Sequence, residues 1–251
     1  MKKIILCIAV LLAGCNPGKW HLGGTDIFTL IDISDPHNLK PDFPLVRDLY
    51  GMRSNACKSA CFNLSYIGDM QYMPEYEYNL ENRPDGESNN RYDDPNYRKK
   101  RIISFFTNIR DAITQANSYA SEEAGRGNSE CYRTIAKALT VLSERQSRKK
   151  YLLVYSDLTE NSSIFSGYRD IEGEVVDNHH AVEYIRKRFE KEDLIPDKLN
   201  GITVYLIYEP STVTADKKFS VFSSAYVELL QSRGAIVFVK STNHFQHENN
   251  E

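Results

Sequence analysis

Long apolar runs are scarce in this chain. After residues 4–12, no stretch approaches the roughly 20 apolar residues that carry a helix across a bilayer, so the remainder reads as a globular, extracytoplasmic domain. Cysteine is sparse as well, five in 251 residues, and Cys7 and Cys15 fall within the first fifteen positions. Cys57, Cys61 and Cys131 remain, an odd number that excludes a complete disulfide framework; Cys57 and Cys61 could pair locally, or all three could be buried thiols. Their C-x3-C spacing has no second Cys/His pair beside it and falls short of a zinc site. A surplus of positive charge is missing too: 31 basic against 34 acidic side chains give a net charge of −3, which argues against a nucleic-acid surface. No Gly-x-Ser-x-Gly elbow, no Gly-x-x-x-x-Gly-Lys loop and no Gly-x-Gly-x-x-Gly after the first strand is present, so no nucleophile and base pair is nominated and the expectation is a non-catalytic protein. His179-His180 stand among charged residues and read as solvated surface histidines.

What is present begins at the amino terminus. Met1-Lys2-Lys3, the apolar run 4–12 and small residues at Ala13-Gly14 describe a secretory signal peptide. Leu12-Ala13-Gly14-Cys15 resembles the lipobox of bacterial lipoproteins. The resemblance implies cleavage before Cys15, lipidation of that cysteine and anchoring at the cell envelope by acyl chains. Position 16 is Asn rather than Asp, which under the sorting rule of enteric lipoproteins points to the outer membrane. Residues 16–24, with Pro17, Gly18, Gly23 and Gly24, form a tether. The expected organisation is a signal at 1–15, that tether, one α/β domain over 25–241 and a tail over 242–251.

Residues 26–33 are apolar with little interruption, as in a central strand buried on both faces, and end in Asp32-x-Ser34 before Pro36. A short helix is expected over 42–50. A strand at 60–67 and a half-exposed, tyrosine-alternating strand within 70–80 follow, then a polar turn-rich loop over 81–95. Ile102, Phe106, Ile109, Ile113, Ala116 and Ala120 recur at spacings of three and four and predict a helix over 97–120. A Gly-containing loop at 122–129 leads to a second helix over 130–145. Residues 151–155 form a short strand stopped by Ser156-Asp157, and 158–178 read as a long acidic loop. Helix 181–191, strand 202–208, helix 217–233 and strand 235–239 complete the chain. Strands alternating with helices predict a three-layer, doubly wound, mainly parallel sheet of Rossmann-like type. Tyr72, Tyr76, Tyr78 and Tyr92 are candidates for a recognition surface.

Three short motifs then carry a family resemblance. The first strand ends in Asp32-x-Ser34, a loop hydroxyl at Ser129 opens a helix, and the fourth strand ends in Ser156-Asp157. In this order they resemble a von Willebrand factor type A domain over about residues 25–240. The resemblance implies a doubly wound sheet and a Mg2+ or other divalent cation at its carboxyl edge. It implies Asp32, Ser34, Ser129 and Asp157 as the cation's ligands or as holders of them, with Thr134 the alternative to Ser129. Magnesium suits such a set, since it takes oxygen ligands, keeps several waters and needs few carboxylates. A cation left with uncancelled charge can accept a carboxylate from a protein partner. The motif's second serine falls on Pro36, which offers no side-chain oxygen, so the site could also be non-functional. Each residue has a local reading beside this one: Asp32 and Asp157 as turn formers, Ser34 on the backbone, Ser129 as a helix N-cap. The expectation is an envelope lipoprotein binding a protein partner through a cation-adhesion-type site. The alternatives are a metal-independent assembly or scaffold protein, or a metal-dependent periplasmic hydrolase using Asp32 and Asp157.

Overall fold

The longest fully buried strand, β1 (Thr25–Asp32), has every residue shielded from solvent because it is paired on both edges and covered on both faces. The computed structural model describes residues 24–34, 38–51, 59–68, 75–81, 95–125, 128–169, 171 and 178–243. Cys15, the tether before Gly24, Pro36, Cys57, Tyr72, Tyr92, most of the 81–95 loop and the tail beyond Asn243 lie outside them. Around β1 a six-stranded sheet forms in the order β3-β2-β1-β4-β5-β6. Its members are β2 (Ala60–Ile67), β3 (Tyr76–Leu80), β4 (Lys149–Tyr155), β5 (Ile202–Ile207) and β6 (Ile236–Lys240). All neighbours run parallel except β3, which is antiparallel to β2 at the edge.

Five helices complete three layers: α1 (Phe43–Tyr50), α2 (Pro95–Glu122), α3 (Cys131–Glu144), α4 (Asn178–Glu192) and α5 (Val213–Ser232). The alternation of β1 explains how they divide. Ile27 and Ile31 point into a core shared with Val46, Leu49, Ile102, Ile109 and Ile113 of α1 and α2. Phe28 and Leu30 point into the opposite core with Tyr132, Ile135, Ile185 and Phe222 of α3, α4 and α5. Each fully buried Ile, Leu or Phe contributes about 1.5–3 kcal/mol relative to an exposed one. The fold is therefore the expected Rossmann-like α/β sandwich.

Local chemistry sets the element ends. Asp42 caps α1 by accepting the Leu45 N–H at 2.8 Å, and Gly51 closes that helix in the left-handed region at φ 56°. Thr212 caps α5 through the Ala215 N–H at 3.1 Å, so the helix starts four residues before the expected 217. The stripe on α2 is buried as its spacing predicts except at Phe106, which is only partly buried while its neighbour Phe105 fills the core. Among the described residues no helix is long and apolar enough to cross a membrane. Cys61 and Cys131 are free, buried thiols.

Candidate functional site

The chain leaves β1 toward α1 on one face, whereas the β4-to-β5 crossover uses α4 on the other. Between these two adjacent strands the winding reverses, and at such a reversal a crevice opens beyond the carboxyl ends. Asp32 is the last residue of β1, and Ser156 directly follows β4. Both strand ends, together with the loop before α3, meet there.

Asp32 is 2% exposed, so its carboxylate depends on protein donors. The Ser34 N–H donates to Oδ1 at 2.8 Å. Ser156 Oγ donates to Oδ2 at 2.6 Å, and Ser129 Oγ donates to the same atom at 3.4 Å. Asn38 Nδ2 donates to the Asp32 carbonyl at 3.3 Å, fixing the strand end. Gly125 N–H reaches the Ile33 carbonyl at 3.1 Å and ties the post-α2 loop to the same edge. Burial pushes the Asp32 carboxyl up to about 6, and the nearby Asp157 charge adds to the rise; the Ser156 and Ser34 hydrogen bonds oppose it.

Asp157 follows Ser156 in the turn after β4 and accepts two hydrogen bonds from Thr159. Its Oδ1 accepts the Thr159 N–H and its Oδ2 the Thr159 hydroxyl, both at 2.8 Å. Between them Leu158, fully buried, holds a left-handed backbone at φ 63°. That turn brings the Leu158 N–H to 2.8 Å from Ser156 Oγ, which thereby accepts one bond while donating another to Asp32.

Of the residues expected at the site, Asp32, Ser34 and Ser129 come into hydrogen-bonding contact, and Asp157 joins them electrostatically. Ser129 is not a helix cap: Glu130 occupies the N-cap position of α3, and Ser129 instead bridges to Asn161 in an antiparallel pair. Thr134 donates to the Glu130 carbonyl within its own helix at 2.8 Å, a bond that leaves its hydroxyl engaged away from Asp32.

Three residues belong to the site that were not among its expected ligands. Ser156 makes the shortest contact to Asp32. Cys131 Sγ lies 3.1 Å from Ser129 Oγ and 3.7 Å from Ser156 Oγ. Burial, with Asp32 and Glu160 nearby, pushes its thiol well above the ordinary value, which favours the protonated, packed form. Glu160 is fully buried, and its Oε2 accepts the Tyr132 N–H at 2.8 Å, in the first turn of α3. Its Oε1 makes no hydrogen bond of ordinary geometry. Burial pushes the Glu160 carboxyl up to about 7, partly offset by Ser162 and the Tyr132 N–H. Ser156 adjoins a motif residue and was legible in that sense; Glu160 had no signal beyond being one acid in an acidic loop.

Oxygen dominates the crevice, from the carboxylates of Asp32, Asp157 and Glu160 and the hydroxyls of Ser129, Ser156 and Thr159. Among the described residues no group of three or more His, Cys, Asp or Glu is arranged to hold a metal. Two grooves elsewhere, about 720 Å³ over β2 and β3 beside α3 and about 340 Å³ at the amino ends of the strands, do not include Asp32, Ser129 or Asp157. Four charges of the larger groove are paired, Lys137 with Glu75 at 2.8 Å and Arg145 with Glu77 at 3.2 Å. Fold and site together define a Rossmann-like α/β domain with an oxygen-lined switch-point crevice. Comparison with protein-family models, curated proteins and solved structures finds no match to this chain.

Proposed function

We propose that this chain is a non-catalytic protein-interaction domain of von Willebrand factor type A-like kind, held at the cell envelope by a lipid on Cys15. Its recognition edge is the carboxyl side of β1 and β4. One observation carries the reading: Asp32, Ser34 and Ser129, from two separate loops, close on one another at the sheet's switch point, within reach of the Asp157 charge. A divalent cation fits this donor set by chemistry. All the donors are oxygen, and the mutual repulsion of Asp32 and Asp157 is what a cation beside them would relieve. Asp32, Ser34, Ser129 and Asp157 would hold it, and its remaining charge would accept a partner's carboxylate.

A second reading, a metal-independent assembly or scaffold domain, is favoured by a different observation. Both Asp157 oxygens are engaged by Thr159, and Asp32 is already served by three donors.

Thermal unfolding of the purified protein with and without Mg2+ or Mn2+ separates the two. Stabilisation by the cation that disappears in Asp32→Ala supports the cation site, and an unchanged melting curve supports the scaffold. Phosphoester turnover that depends on both Asp32 and Asp157 would overturn both.

A further inference from the structure

The amino ends of the parallel strands lie opposite the Asp32 crevice, and the chain enters the domain there. Gly24 sits beside β4, its carbonyl accepting the Lys149 N–H at 3.2 Å. Cys15 is nine residues earlier in the sequence, so full extension of the tether holds it no farther than about 30 Å from this edge. The eight residues of β1 put the crevice about 26 Å away, at the other end of the sheet.

Charge is unevenly shared between the two ends. Arg148 and Lys149 open β4, and Lys191 and Lys198 flank the connection from α4 to β5. Phe105 packs edge-on to Tyr50 at 5.5 Å, and the Tyr50 hydroxyl donates to the Cys61 carbonyl at 2.8 Å, so Phe105 is level with the start of β2. Lys99 and Lys100 precede Phe105 by about 8 Å of helical rise and extend past that start. All six cations are exposed, and none forms a side-chain ion pair with a described residue. The acids at this end are mostly engaged: Arg233 takes Asp193 at 3.0 Å and Asp197 at 3.7 Å, and Arg133 takes Glu192 at 4.0 Å. Glu81 and Glu144 remain exposed, and Asp26 is buried. The connections 52–58 and 82–94, outside the described residues, leave the balance unchanged, with two basic and no acidic side chains in the first and two basic and four acidic in the second. The carboxyl end has the opposite character, since Asp32, Asp157 and Glu160 gather there.

We infer that the amino edge docks on an anionic phospholipid surface, with the Asp32 crevice turned away from the bilayer. Two observations select this occupant. The chain as a whole carries a net charge of −3, so its free cations are concentrated at one end rather than spread by a basic composition. That end is also the one from which the tether leads to Cys15. Opposite signs at the two ends orient the molecule as it approaches a negative leaflet, and basic side chains within a Debye length of the surface hold it there. Leu194, 44% exposed between Lys191 and Lys198, gives the patch an apolar tip suited to the headgroup boundary. An acyl anchor and a basic patch reinforce each other, since the first supplies proximity and the second orientation. The anchor rests on the lipid proposed above for Cys15; the preference for negative headgroups rests on the edge alone.

Co-sedimentation of the full chain with vesicles tests the docking. Vesicles of phosphatidylcholine alone read the anchor, and the gain on replacing about one third of the lipid with phosphatidylglycerol reads the edge. That gain should be about tenfold or more at low salt and should vanish near about 1 M, where the Debye length shrinks to about 3 Å. Lys99→Glu with Lys100→Glu should cut it about threefold or more, and so should Arg148→Glu with Lys149→Glu, a separate pair that guards against one variant misfolding. The same charge change at the carboxyl end, Arg169→Glu with Lys217→Glu, should leave it within about twofold of wild type. Mass measurement of residue 15 for acyl chains tests the anchor by itself, so loss of the anchor and loss of the docking are told apart. Equal binding to both vesicles overturns the inference, even if the chain captures an acidic protein. So does a gain that survives both amino-edge pairs, or one that the carboxyl-end pair reduces as much as they do.

Discussion

Asp32 illustrates how a buried acid is held in place by neighbours of unequal weight. Ser156 supports it at 2.6 Å and Ser129 at 3.4 Å, so the two hydroxyls are not equivalent. Ser156→Ala removes a donor to Asp32 and an acceptor from the Leu158 N–H in one change. It should cost about 1–3 kcal/mol, as expected when buried polar groups lose their partners. Ser129→Ala should cost less. Urea unfolding of the two variants checks the order, and the reverse ranking would reassign the main support of Asp32. The residue scale is also where sequence reasoning was thinnest. Asp32-x-Ser34 was visible as an acid and hydroxyl at the end of an apolar run. That Ser156 rather than Asp157 touches Asp32 was not, because neighbouring residues after a strand point in different directions according to the turn that follows.

At the scale of elements, α2 shows why spacing was a good guide. Its stripe places Ile109 at 0% exposure, and Ile103, on the same helix, is 55% exposed. Ile109→Ala should destabilise the protein by about 2–5 kcal/mol, the range for truncating a buried isoleucine. Ile103→Ala should stay within about 0.5 kcal/mol of wild type, as surface changes usually do. Chemical denaturation of both variants measures the contrast, and equal costs would mean that α2 packs by another face. Helix ends were less legible than helix faces. The start of α5 moved to Val213 because Thr212 caps it, and β4 gained Lys149 and Lys150, whose charges masked their place beside Thr25 and Asp26 of β1. Glu160 works at this scale too: it fastens the loop after β4 to the first turn of α3, the helix that follows Ser129. Such a cross-loop clamp joins positions 28 residues apart and has no period by which a sequence could reveal it.

For the whole molecule, two buried carboxyls at the crevice set an unusual pH dependence. Asp32 is raised from an ordinary 3.8 to about 6 and Glu160 from 4.5 to about 7. A carboxyl raised in the folded state contributes stability that is complete below its ordinary value and lost as pH climbs through the folded one. Stability should therefore fall between about pH 4 and pH 7, by up to about 3 kcal/mol for each group at 1.4 kcal/mol per unit. Urea midpoints across that window, with a chelator present, give the measurement. Asp32→Asn should flatten the lower part and Glu160→Gln the upper; a stability that rises through the window would contradict both assignments. The global architecture was legible because alternating strand and helix periods leave few ways to wind a parallel sheet. The chemistry of its edge was less so, since loop conformations, not periods, decide which oxygens meet.

The left-handed turn at Leu158 bears on how durable that edge is. A leucine at positive φ costs about 1–3 kcal/mol, a penalty that local backbone preference cannot offset. Its side chain does, sunk in the core with Ile185, Phe222 and Tyr226 of α4 and α5. The crevice is thus a sprung catch, cocked by a hydrophobic peg on the far side of the sheet from α1. Loosening the packing around that peg would release the catch, so the shape of the crevice and the tightness of the core beneath it are a single mechanical property.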